Sequence, residues 1–143
     1  MCYMLFVSTD CAEDLATRNT DLVRFEKPDP RFPAPPELRH AHVWYVGSKS
    51  GCSCTFRHLC RENVELGFRE PENWFPEKPD AIAATKQLHA VLAEIVGRGG
   101  QVDLADTWCG EETRSLQPRE VSLSQVPADR FRLFEGWLFT LKR

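Results

Sequence analysis

One segment of this chain has the periodicity of a long helix, and it restricts the folds that the chain can adopt. Apolar residues recur at helical spacing from about Ala81 to Val96 and form one stripe: Ile82, Leu88, Val91, Leu92, Ile95 and Val96. Asp80 is a suitable N-cap after Pro79, and the glycines that begin at Gly97 end the helix. A single amphipathic helix needs a partner surface for its apolar face, and the remaining pattern supplies strands.

Strand patterns occur on both sides of this helix. The predicted strands are residues 2–7, 21–26, 42–46, 101–108, 120–123 and 134–141, with a turn at Cys109–Glu112. Three strands follow the helix in succession, which favours an α/β fold of the α+β type. We expect a mixed, mainly antiparallel sheet of about five to six strands with the helix (about 81–96) packed on one face. The length of 143 residues fits a single globular domain, residues 1–143.

Two proline-rich segments interrupt these elements. Residues 27–37 contain five prolines, a density that excludes helix and central strand and favours an extended surface strap. Residues 63–79 contain three more prolines together with Trp74 and Phe75. We expect this second segment to be a long loop whose aromatic side chains fold back over the core.

The composition narrows the classes of partner. The net charge is −3 and lysines and arginines form no block, which argues against nucleic-acid binding. The apolar run Met1–Val7 is too short to span a membrane and lacks the basic start of an export signal. We therefore expect a cytoplasmic protein with reduced cysteines that binds neither nucleic acid nor membrane. The sequence does not identify a protein or small-molecule partner.

The segment Gly51–Cys60 concentrates chemically active side chains. It contains Cys52, Cys54, His58 and Cys60, and thiolate and imidazole are the preferred ligands of zinc. The Cys-x-Cys spacing is tighter than the usual two to four intervening residues of zinc sites. The candidates for a further ligand elsewhere in the chain are Cys109, Cys11, His40 and His42. The sequence thus predicts a metal site, with zinc as the fitting ion, at Cys52, Cys54, His58, Cys60 and Cys109.

The same cysteines allow two other interpretations. Cys52 or Cys54 is a reactive thiolate, either in a sensor or in a thiol-dependent enzyme, and a helix starting near Thr55 would lower the pKa of Cys54. The spacing matches neither the Cys-x-x-Cys redox motif nor the phosphatase loop. Alternatively the cysteines only pack, and the chain is an interaction module that binds through the proline-rich strap and Trp74/Phe75.

Two sets of residues carry resemblances. The opening Met1-Cys2 resembles that of N-terminal-nucleophile glutamine amidotransferase domains and of abasic-site DNA-crosslinking proteins, in which a freed Cys2 would be the nucleophile. The motifs Met1-Cys2-Tyr3-x-Leu5-x-x-x-Thr9-Asp10 and Val43-x-Tyr45-x-Gly47-Ser48-x-x-Gly51-Cys52-x-Cys54-x-Phe56, with Glu135-Gly136-Trp137, resemble a group of small uncharacterised bacterial proteins. This second resemblance implies one intact cytoplasmic domain and no particular activity.

Overall fold

A computed structural model describes residues 2–111 and 114–143 of the chain. Met1, which opens both resemblance motifs, and Glu112, in the predicted turn, lie outside the described residues, as does Thr113. The described strands are β1 (Tyr3–Thr9), β2 (Arg24–Glu26), β3 (His42–Gly47), β4 (His58–Leu59), β5 (Val102–Trp108), β6 (Gln117–Ser122), β7 (Leu133–Phe134) and β8 (Trp137–Lys142). Helix α1 spans Pro79–Gly97, and two short 3-10 helices span Leu15–Arg18 and Arg61–Leu66.

Six of the eight described strands form one sheet in the order β2-β3-β1-β5-β8-β6. Neighbours pair antiparallel except β6 and β8, which pair parallel, and the two-residue strands β4 and β7 form a separate parallel pair. The mixed, mainly antiparallel sheet with one long helix confirms the fold class predicted from the sequence. One predicted strand is divided, because Gly136, with φ +84°, turns the chain between β7 and β8.

Helix α1 covers one face of the sheet with the stripe that its periodicity predicts. Leu88, Leu92 and Ile95 are buried in the core cluster, together with strand residues such as Leu5 and Leu104. The helix begins slightly earlier than expected, with Lys78 at the N-cap position and Asp80 inside the first turn. An acidic side chain there still interacts favourably with the helix dipole.

The proline-rich strap lies against the opposite face of the sheet. Residues 27–41 contain neither helix nor strand, as their proline content predicts. Two residues after the strap, Arg39 binds the buried carboxylate of Asp103 through two hydrogen bonds of 2.9 and 3.1 Å. The backbone N–H of His40 donates to the hydroxyl of Ser8, the register partner of Asp103. The strap thus screens this second face and forms one wall of the pocket described below.

The second proline-rich segment contributes one of its two aromatic residues to the core. Phe75 is half-buried against the core cluster, whereas Trp74 is 61% exposed, so the expectation that both fold back was wrong for Trp74. None of the described helices is long and apolar enough to cross a membrane.

Candidate functional site

The cysteine-rich loop follows β3 at one end of the sheet. The strand ends at Gly47, and a tight turn is closed by hydrogen bonds from Gly51 N–H to Ser48 O (2.8 Å) and from Ser48 N–H to Cys52 O (2.7 Å). Gly51 has φ +86°, and a Cβ at Gly47 would lie 2.6 Å from the carbonyl oxygen of Gly51. Both positions therefore require glycine, and the turn fixes where Cys52 leaves it.

Ser53, between the two cysteines, anchors this loop inside the sheet. Its buried hydroxyl accepts a hydrogen bond from Leu5 N–H (3.0 Å) and donates one to Val46 O (2.6 Å). Leu5 and Val46 are register partners in β1 and β3, so the hydroxyl bridges two neighbouring strands. The two cysteine backbones are consequently held at the sheet rather than on a free loop.

The thiols of Cys52 and Cys54 differ in their electrostatic environment. Burial alone would raise the pKa of Cys52, but hydrogen bonds from the Ser50 hydroxyl (3.2 Å) and from nearby backbone N–H groups outweigh it, and the pKa is lowered. Burial and the neighbouring thiols of Cys52 and Cys2 raise the pKa of Cys54 to about 12. No helix starts near Thr55 in the described part of the chain, so the condition under which a helix dipole would lower the pKa of Cys54 is not met. Cys52 is the thiol that favours the anionic form.

A buried histidine–aspartate pair supports the loop from the helix-facing side. His58 Nε2 lies 2.5 Å from the carbonyl oxygen of Ser53, and because that oxygen can only accept, Nε2 carries a hydrogen. His58 Nδ1 lies 2.8 Å from Asp106 Oδ2, and both side chains are 3% exposed. The ring stacks on Tyr3, with centroids 3.9 Å apart and planes 4° from parallel. The sequence pattern does not indicate this pair, because the two residues lie 48 positions apart.

Burial dominates the electrostatics of this pair. It raises the pKa of Asp106 despite the opposing effect of His58, and Asp106 Oδ1 has no hydrogen-bond partner among the described residues. The pKa of Tyr3 is also raised, by burial first and then by the Asp106 carboxylate. Burial therefore favours the protonated form of the Asp106 carboxyl more than it is favoured in an exposed aspartate, and the phenol of Tyr3 stays protonated.

A pocket of about 330 Å³ opens beside the loop, under the proline-rich strap. Its wall includes Cys2, Cys52 and Cys109, together with the larger side chains of Met4, Phe32 and Tyr45. The volume lies at the lower end of the range for small-molecule sites. Cys2, which sequence analysis treated separately from the Cys-x-Cys motif, thus shares a pocket with it.

The five residues predicted to bind metal are placed around this loop without forming a common cluster. Cys52 and Cys109 line the pocket, Cys54 lies beside Cys52, and the two ring nitrogens of His58 already face Asp106 and Ser53. The thiol of Cys60 accepts a hydrogen bond from the Asn63 side-chain amide (3.2 Å). Within residues 2–111 and 114–143, no three His, Cys, Asp or Glu side chains are grouped so that they could hold a metal ion. Zinc binding stays a prediction from the sequence.

A buried ionic cluster lies directly after the loop, and sequence analysis did not find it. Glu77 accepts hydrogen bonds from Arg57 Nε and Nη2 (both 2.8 Å) and from Arg132 Nη2 (2.9 Å). The side chains of Arg57, Arg132 and Glu77 are 1%, 2% and 6% exposed. Arg57 and Arg132 also donate to backbone carbonyls, including those of Arg69 and Gly67, whereas Arg132 Nε has no hydrogen-bond partner among the described residues. Glu77 belongs to the loop before α1, and the cluster therefore connects this loop to the core behind the cysteines.

Comparison of the chain with protein-family models, with curated proteins and with solved structures finds no match.

Proposed function

We propose that the Cys52-x-Cys54 loop is a redox-responsive thiol sensor, in which a hydroperoxide oxidises Cys52 and Cys54 then forms a reversible disulfide with it. One observation carries the proposal: the Cys52 thiol lines a pocket, is bonded to the Ser50 hydroxyl and has the thiol of Cys54 beside it. A nucleophile that reaches small molecules and an adjacent resolving thiol are the two parts that such a sensor needs.

The two cysteines are suited to different steps. The environment of Cys52 lowers its pKa and favours the thiolate, the species that attacks peroxides and disulfides. The environment of Cys54 raises its pKa and keeps it a thiol until its neighbour has been oxidised. This difference supports Cys52 as the attacking group and Cys54 as the resolving group.

The chemistry balances with a hydroperoxide as the oxidant. The Cys52 thiolate attacks the terminal oxygen, the O–O bond breaks, and the departing alkoxide or hydroxide takes a proton from solvent. Cys52 is left as a sulfenic acid. Cys54 attacks its sulfur, the S–O bond breaks and water leaves, so that two electrons have passed from the two thiols to the peroxide. Two equivalents of a small-molecule thiol restore the reduced pair by thiol–disulfide exchange.

The position of Ser53 links this chemistry to the sheet. A disulfide across a single intervening residue closes a small, strained ring, and strained disulfides are readily reduced. The strain falls on Ser53, whose hydroxyl bridges β1 and β3. Oxidation is therefore expected to loosen the junction of these strands, which gives the sensor a structural output.

Peptide mapping after limited oxidation tests the proposal. Reduced protein is treated with hydrogen peroxide, with and without dimedone, and the modified cysteines are identified by mass spectrometry. We expect a Cys52–Cys54 disulfide in the unmodified chain, a dimedone adduct on Cys52 in the Cys54→Ser variant, and neither product in Cys52→Ser. Cys11→Ser is the matched control, because Cys11 packs against the core away from the pocket.

Two results would contradict the sensor. The first is that Cys11 or Cys60 oxidises as fast as Cys52. The second is that untagged, chelator-free protein contains about one equivalent of zinc or iron that is lost in Cys52→Ser, which would support the metal site predicted from the sequence.

A further inference from the structure

The pocket in front of Cys52 is larger and more apolar than hydrogen peroxide requires. Met4, Phe32 and Tyr45 contribute large side chains to its wall, and Cys52 lies in the same wall. Burial raises the pKa of the Tyr45 phenol, so this side chain is uncharged. These three side chains therefore give the wall an uncharged part, beside its charged residues Glu26, Lys27 and Asp29.

The charged residues at the pocket are already paired with other groups. The ammonium of Lys27 lies 3.9 Å from the ring centroid of Trp44. The carboxylate of Asp29 is bound by Arg31 at 2.7 Å, and that of Glu26 lies 3.7 Å from Arg24. An anionic ligand would thus meet two carboxylates and a lysine engaged with an indole ring, and an uncharged ligand is favoured.

The size of the pocket indicates how large a part of a ligand it can enclose. A cavity of roughly 150 Å³ holds benzene. At about 330 Å³, this pocket has room for one aromatic ring, or an alkyl group of similar size, with a short functional group. Such a ligand would bury its apolar part against Phe32 and Met4 and present its functional group to Cys52.

We propose that the oxidant sensed by this site is an uncharged organic hydroperoxide with an apolar group about the size of one aromatic ring. The inference rests on the proposed thiol sensor and adds its substrate class. The Cys52 thiolate attacks the terminal oxygen of ROOH, the O–O bond breaks, and the alkoxide takes a proton from solvent to leave as the alcohol ROH. The apolar group R stays in the pocket during this step.

Competing oxidants test the substrate class. The second-order rate constants for oxidation of Cys52 by cumene hydroperoxide and by hydrogen peroxide are measured by stopped-flow, and their ratio is compared with that for free cysteine in the same buffer. We expect the ratio in the protein to exceed the free-cysteine ratio by about tenfold or more, since burial of an aromatic group contributes favourably to the bound state. Phe32→Ala is expected to lower the ratio about three- to tenfold, because it removes part of the apolar wall of the pocket.

A matched control and an independent binding measurement complete the test. Trp74→Ala removes an exposed aromatic side chain that does not line this pocket, and it is expected to leave the ratio unchanged. Binding of cumyl alcohol, the product of the reaction, to the unreactive Cys52→Ser variant is measured by calorimetry. We expect saturable binding that Phe32→Ala weakens.

The outcomes separate the two proposals. If hydrogen peroxide oxidises Cys52 but the cumene ratio equals that of free cysteine, or Phe32→Ala leaves it unchanged, the substrate class is wrong and the sensor stands. If neither peroxide oxidises Cys52 while cumyl alcohol still binds, the sensor is wrong and the apolar ligand site stands. If there is neither oxidation nor binding, both proposals are overturned.

Discussion

Replacement of Glu77 by glutamine tests how the buried ionic cluster stabilises the fold. The carboxylate of Glu77 is the shared acceptor for Arg57 and Arg132, and all three side chains are at most 6% exposed. Two guanidinium groups on one carboxylate leave the cluster with a net charge of about +1. Glutamine retains the shape of the side chain but removes the negative charge, so two buried cations would be left without a counterion.

The expected loss is large because the cost of desolvating the arginines remains. Removing one partner from a buried ion pair typically costs about 3–5 kcal/mol. For a chain of this size, each kcal/mol lowers the melting temperature by roughly 3–4 °C, so Glu77→Gln is expected to melt about 9–20 °C lower. Arg132→Met should cost less, because it leaves Arg57 and Glu77 as a balanced pair.

Urea denaturation followed by tryptophan fluorescence measures the free energy of unfolding of each variant. Glu70→Gln is the matched control: Glu70 pairs with Arg130 at 3.5 Å, and both side chains are more than half exposed. An exposed pair contributes about 0–1 kcal/mol, so this variant should unfold close to the unmodified chain.

Two results would refute the reasoning about the cluster. One is a loss of less than about 1 kcal/mol in Glu77→Gln, within the range of surface substitutions. The other is a larger loss in Arg132→Met than in Glu77→Gln, which would mean that packing of the arginine, and not charge balance, dominates the cluster.

Three further predictions follow from the same contacts. Burial would raise the pKa of Glu77, but the two arginines outweigh it and lower the pKa. The carboxylate therefore stabilises the fold fully above pH 4.5, and this stabilisation is lost as the pH falls below 4.5. The difference in unfolding free energy between the unmodified chain and Glu77→Gln should accordingly narrow in acid. Ser53→Ala removes the bridge between β1 and β3 and should cost about 1–3 kcal/mol, with faster hydrogen exchange at the Leu5 amide as the diagnostic signal. Asp106→Asn should be tolerated, because an amide can donate to His58 Nδ1 while Nε2 keeps its hydrogen. His58→Phe leaves the buried carboxylate without a partner, and since burial raises the pKa of Asp106, this variant should regain stability as the pH falls. Equal pH profiles of unfolding free energy for the two variants would contradict this account.

The fold was accessible from sequence because its elements have strong local signals. The stripe from Ile82 to Val96 specifies a helix whichever strands it packs on. The apolar run in residues 42–46 and the alternation in residues 101–108 specify strands. The parallel pairing of β6 and β8 was not accessible. It brings Pro118 and its neighbours beside Leu138, and nothing in the local pattern of either strand records the direction of its partner.

The candidate site was accessible only where its residues are close in sequence. The Cys52-x-Cys54 motif marks the loop, but which thiol is activated depends on the Ser50 hydroxyl and on the absence of a helix at Thr55. Asp106 and Glu77 each look like ordinary acidic residues until the fold brings His58 and Arg132 to them. Long-range pairs of this kind have no periodicity or spacing from which they could be predicted.

The order of strands in the sheet has a consequence for synthesis of the chain on the ribosome. β1 lies in the interior of the sheet between β3 and β5, and the partner strand β5 begins only at Val102. Translation therefore produces β1, β2 and β3 well before β5, and one edge of β1 stays unpaired while the strap, the cysteine loop and α1 are made. An unpaired edge of a buried, apolar strand is a site for mispairing with other chains. Chains that stop between the cysteine loop and Gln101 are thus expected to aggregate, and the nascent protein is most in need of chaperones during this interval.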